Sequence, residues 1–105
     1  MTDSVDITNF SQFKYLWGRI DTGASTITVG NKTDATAVTP FATTGPRSLV
    51  VSNTLRIGSS YDTTITGTLD IAHCSVYNRA LSDTEVATHY AFVQQVLSAN
   101  LGISV

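Results

Sequence analysis

Through its first two thirds the chain alternates apolar and polar side chains with a period of two, the pattern of strands that bury one face. Phe13, Tyr15 and Trp17 alternate with Lys14, Leu16 and Gly18, and the run ends in the turn composition Asp21-Thr22-Gly23-Ala24. Thr26-Ile27-Thr28-Val29 follows and closes at Gly30-Asn31-Lys32, so residues 13 to 30 are predicted to form a hairpin whose aromatic face packs in the core. A short strand over 36 to 41 should stop at Pro40, because proline has no N–H for a ladder. Beyond the loop Thr43-Thr44-Gly45-Pro46, Leu49 with Val51 and Leu55 with Ile57 predict two more strand segments. The most regular run sets Ile65, Gly67, Leu69 and Ile71 against Thr64, Thr66, Thr68 and Asp70, a half-buried strand with a threonine-rich outer face. Past Ile71 the parity shifts to Ala72, Cys74 and Val76, which calls for a bulge near 70 to 72 or for cover on both faces.

Near the end the period changes to 3.6. Ser82-Asp83-Thr84-Glu85 is a capping box, with Leu81 and Val86 in the staple positions around it. Val86, Tyr90, Val93 and Leu97 form an apolar stripe that must lie on the sheet, and Asn100 or Gly102 can end the helix before Ile103-Ser104-Val105 returns as an edge strand. The expected architecture is all-β: one domain over 1–105, an antiparallel β-sandwich with one C-terminal helix packed on the sheet.

Composition narrows the partners. Charged residues are only 13% of the chain, with 6 basic against 8 acidic residues and a net charge of −2, so no basic footprint for nucleic acid or an anionic membrane is present. The N-terminal Met1-Thr2-Asp3-Ser4-Val5-Asp6 lacks the basic start and apolar run of a secretion signal, and no segment is apolar and long enough to span a bilayer. The single cysteine, Cys74, reads as a small buried hydrophobe rather than a reactive thiol.

The run from Ile71 to Val86, Ile-Ala-His-Cys-Ser-Val-Tyr-Asn-Arg-Ala-Leu-Ser-Asp-Thr-Glu-Val, continuing to His89-Tyr90, resembles the closing signature of the laminin-G-like, concanavalin-A-like jelly rolls. Leu55-Arg56-Ile57-Gly58 resembles the strand before it, and Gly67 the family glycine between the two. The resemblance spans roughly residues 55 to 97 and implies a jelly-roll sandwich. Within it Tyr77 and Leu81 bracket the turn from sheet to helix, Arg79 satisfies carbonyls there, and Ser82 and Glu85 start the helix. The first half lacks the family's usual strands, which leaves room for a reduced N-terminal half completed by a neighbouring subunit.

Related jelly rolls include glycoside hydrolases, but hydrolysis needs two flanking carboxyl groups. Glu85 is the sole glutamate and caps a helix, while Asp62 and Asp70 stand apart, so the chain is read as a non-enzyme. No nucleophile elbow occurs, and Glu85 with His89 is read as a surface pair rather than a metal site. Calcium at the rim is the cofactor the resemblance implies. Asp21, Asn31, Asp34 and Asp62 offer oxygens but no dense cluster, whereas calcium takes about six to eight, so no bound cofactor is expected. The ligand-binding candidates are the aromatics Trp17, Tyr15 and Tyr61, the last with Asp62 beside it. Asn9-Phe10-Ser11 and Asn31-Lys32-Thr33 match glycosylation sequons that a chain so rich in Thr and Ser yields by chance.

Three functions fit these features. The first is a structural or decorating protein of a virus particle, a bacteriophage capsid or tail, that oligomerises with itself and binds the shell; the Gly102-Ile103-Ser104-Val105 ending resembles such modules. The second is a glycan-binding adhesion module, and the third a degenerate glucanase fragment. The first places the chain in the virion, with neither nucleic acid nor membrane as partner.

Overall fold

The computed structural model describes residues 11–36, 40–44, 56–57, 64 and 67–105. The chain divides into two compact units, Met1–Thr44 with Val76–Val105, and Gly45–Ser75.

In the first unit, strands β1 (Leu16–Asp21), β2 (Thr26–Asn31) and β3 (Phe41–Ala42) form an antiparallel sheet in the order β1-β2-β3. The β1–β2 register pairs Trp17 with Gly30, Arg19 with Thr28 and Ile20 with Ile27. Asp21 Oδ1 shapes the hairpin loop by accepting from the N–H groups of Gly23 (2.9 Å) and Ala24 (3.0 Å). Ser25 then takes a left-handed conformation (φ 53°) that returns the chain to β2, and its carbonyl accepts from Thr43 N–H at 2.8 Å. Of the strand expected over 36 to 41, Thr36 makes one isolated bridge to Asn31, Pro40 immediately precedes β3, and residues 37–39 lie outside the described residues.

Helix α1 (Asp83–Leu101) begins as its sequence requires. Ser82 Oγ accepts from Glu85 N–H at 3.2 Å, and Glu85 Oε2 accepts from Ser82 N–H at 2.8 Å. At the other end Gly102 adopts φ 63°, so that Ile103 N–H turns back onto the Leu97 carbonyl at 3.2 Å. Val86, Val93 and Leu97 are buried and Tyr90 half-buried, which is the predicted stripe. The last residues do not extend a described strand; the Val105 carbonyl accepts from Tyr90 Oη (3.2 Å) and Gln94 Nε2 (2.9 Å).

The helix is tied to one face of the sheet. Tyr15 packs its ring against Tyr90 in a tilted pair, centroids 5.1 Å apart, and its hydroxyl is hydrogen-bonded to His89 Nδ1; Arg19 donates to the Leu81 carbonyl at 3.0 Å and to Asp83 Oδ1 at 2.7 Å. Phe13, Tyr15 and Trp17 are each half-buried.

In the second unit the expected half-buried strand is not observed over residues 67 to 71, which join no described ladder and are exposed in both parities. Leu69 is 62% and Ile71 50% exposed, because a half-buried strand needs both a ladder partner and a covering layer. Cys74 is likewise exposed, contrary to its reading as a core residue. A Cβ at Gly67 would meet nothing within 4 Å, so no close approach demands a glycine there. The strands expected over 49 to 51 and at Leu55, and the Ile65 position, lie outside the described residues.

Candidate functional site

The hairpin register divides side chains between two surfaces. On the helix side stand Trp17, Arg19, Thr28 and Gly30; on the other stand Leu16, Ile20, Ile27 and Val29, joined by Phe41 through its pairing with Ile27. This second face is aliphatic and largely open: Leu16 is 46%, Ile20 57% and Phe41 44% exposed.

The helix-side face is built around Trp17. A Cβ at Gly30 would come within 2.5 Å of the indole, so only glycine opposite Trp17 lets the ring lie across the strand pair. The Arg19 guanidinium sits 5.2 Å from the centre of that ring, a cation–π contact, while bonded to Leu81 and Asp83 at the helix start. A cleft of about 430 Å³ opens beside them, lined among others by Thr28, Asn31 and Lys32. Thr28 is 3% exposed, and among the described residues its hydroxyl finds no hydrogen-bond partner. Such a sealed hydroxyl costs about 1–3 kcal/mol.

Of the binding candidates, Trp17 lines this cleft, whereas Tyr61 and Asp62 lie outside the described residues. The calcium candidates are separated. Asp21 pairs with Thr26 at one end of the hairpin and Asn31 with Leu16 at the other, about 17 Å away at strand rise. Asn31 and Asp34 are bonded to each other, Nδ2 donating to Asp34 Oδ2 at 2.8 Å, and the Lys14 ammonium pairs with Asp34. That Lys14 bond, chiefly, holds the Asp34 carboxyl below the usual range, and it puts a cation where calcium would need open oxygens. Asn31 is 1% exposed, which closes its sequon to a glycan. Among the described residues no group of three His, Cys, Asp or Glu side chains is placed to hold a metal.

The turn residues assemble, with one change of partner. Arg79 grips Glu85 bidentately, at 2.8 and 2.6 Å, rather than satisfying carbonyls. This ion pair, then the Ser82 N–H, lowers the Glu85 pKa to about 2. Glu85 is thereby engaged away from His89, which packs edge-on to Tyr77 at 5.8 Å and bonds Tyr15. Burial, with Tyr77 adding to it, pushes the Tyr15 hydroxyl pKa up, keeping it protonated. Arg19, Thr28, Lys32 and Asp83 were not singled out from sequence. The alternation Trp17-x-Arg19 placed the first beside the tryptophan, but Thr28 opposite it depends on the hairpin register.

Comparison with models of protein families, with curated proteins and with solved structures finds no match to this chain.

Proposed function

We propose that this protein is a non-catalytic association module: a structural or decorating protein of a virus particle, a reduced jelly-roll sandwich that binds copies of itself and a capsid or tail shell. The observation that supports this reading is the aliphatic face of Leu16, Ile20, Ile27, Val29 and Phe41, which is open at Leu16, Ile20 and Phe41. In a sandwich such a face is the inner one and packs about 10 Å from a second sheet. Left in water, it forgoes about 25 cal/mol for each Å² that a cover would bury. No described strand pairs with the outer edge of β1, which offers backbone groups to another chain, and the sparse surface charge supplies little repulsion.

Sedimentation of dilute protein tests this. A trimer or larger assembly that Ile20→Lys dissolves, with the helix signal intact, supports the reading; a parent that stays monomeric and ignores purified phage shells sinks it. A glycan-binding module is the second reading, favoured by the placement of Trp17 in a cleft. A glycan array probed with the parent separates the two.

A further inference from the structure

We infer that two copies of this chain join edge to edge through β1, as antiparallel neighbours related by a two-fold axis at Gly18. The inference rests on the self-association reading and supplies its contact.

The hydrogen-bond phase of the hairpin decides which main-chain groups of β1 face outward. Lys32 N–H donates to the Tyr15 carbonyl at 3.0 Å, so Tyr15 and Lys32 are a hydrogen-bonded pair of the ladder. Such pairs alternate with non-bonded ones, and the register continues them at Trp17 with Gly30, Arg19 with Thr28 and Asp21 with Thr26. Leu16, Gly18 and Ile20 therefore turn their N–H and C=O groups away from β2. Among the described residues no strand meets them there. All three are exposed, and since Gly18 has no side chain, what it exposes is main chain. Edges of this kind are commonly shielded by proline, by charge or by a bulge. Here the register with β2 runs unbroken from Leu16 to Asp21, and the outward residues are neither charged nor proline.

Gly18 is the residue that points to a second backbone. Glycine inside a strand weakens it and often marks a place where another main chain comes close. The subunit itself does not require one: a Cβ at Gly18 would sit 3.5 Å from Val29 Cγ1, an ordinary contact, and its φ is not positive.

A two-fold axis at Gly18 sets this residue against its own copy and Leu16 against Ile20 of the second copy, so that every outward residue of the strand is paired. The side chains suit this register. Leu16 and Ile20 meet on the aliphatic face. On the other face Arg19 stands opposite Trp17 of the second copy and Asp21 opposite Tyr15, so no like charges meet. A slip of two residues would leave Leu16 or Ile20 without a strand partner, and in one direction it would set Arg19 against Arg19. The joined sheet presents the aliphatic faces of both copies as one surface, the side left for a shell.

Gly18→Pro separates this contact from self-association at large. The proline removes only an outward N–H, so the melt and helix signal should stay close to the parent's while association weakens at least about tenfold. Cysteine cross-linking in a Cys74→Ser background is the second readout, and it decides the matter where Gly18→Pro does not fold. Gly18→Cys is expected to give a disulfide-linked dimer on mild oxidation, because the Cα atoms of a hydrogen-bonded pair lie about 5.5 Å apart. Gly23→Cys in the hairpin loop should not, since the two loops lie about 30 Å apart at strand rise. A parent that is monomeric overturns this contact and the self-association reading together. Assembly that persists in folded Gly18→Pro overturns β1 pairing alone, as does cross-linking at Gly23→Cys as ready as at Gly18→Cys. A trimer, which a two-fold contact cannot close, does the same.

Discussion

The two faces of the β1–β2–β3 sheet are made by the same strands and differ in what meets them. On the helix side Trp17 lies on Gly30, Arg19 reaches Leu81 and Asp83, and just before β1 Tyr15 reaches His89 and Tyr90. On the opposite side the aliphatic residues Leu16 and Ile20 stand in solvent. The more apolar face is thus the less covered one. Alternation along a strand marks two faces, but the partner decides which becomes core.

The contrast makes ordered demands on stability. Leu97→Ala, in the buried stripe of α1, should cost about 2–4 kcal/mol by opening a cavity, read from chemical denaturation. Gly30→Ala should cost about 1–3 kcal/mol, since the new methyl must displace the indole of Trp17. A red-shifted Trp17 emission should accompany it; an unshifted spectrum and unchanged midpoint would mean that the indole does not lie on Gly30. Ser82→Ala should cost about 1 kcal/mol by removing the helix cap.

Glu85 adds a dependence on pH. Its folded pKa is depressed from 4.5 to about 2, so its contribution is complete above about pH 4.5 and is lost as pH falls toward 2. Thermal melts between pH 5 and pH 2 should therefore show a slope that is shallower in Glu85→Gln. At the small end, Ile20→Thr on the open face should shift the stability of isolated subunits by no more than about 0.5 kcal/mol. A loss as large as that of Leu97→Ala would show that this face is packed within the monomer.

The same contrast explains what could be read from sequence. Helix α1 was legible at its start because the determinants are local, Ser82 and Glu85 being three residues apart, while its end was narrowed only to Asn100 or Gly102, of which Gly102 is the cap. The hairpin was legible in outline, with its turn at Asp21, but the pairing of Arg19 with Thr28 was not, because it depends on how many residues the loop holds. Leu69 and Ile71 illustrate the limit, since their alternation is as regular as that of β1 yet brings no cover. The cleft was half-visible: Trp17 announced itself, while Lys32 and Thr28 enter it only through register and the Asn31–Asp34 turn.

The bond from Arg19 to the Leu81 carbonyl spans 62 positions of sequence, and this separation governs the order of folding. A hairpin forms within about 1–10 μs and a helix within about 1 μs, each from neighbouring residues. Bringing Arg19 to Leu81 must instead join residues 62 positions apart, a contact that carries a chain-closure cost the local ones do not. Closure entropy grows only with the logarithm of length, and doubling the loop costs about 0.6 kcal/mol.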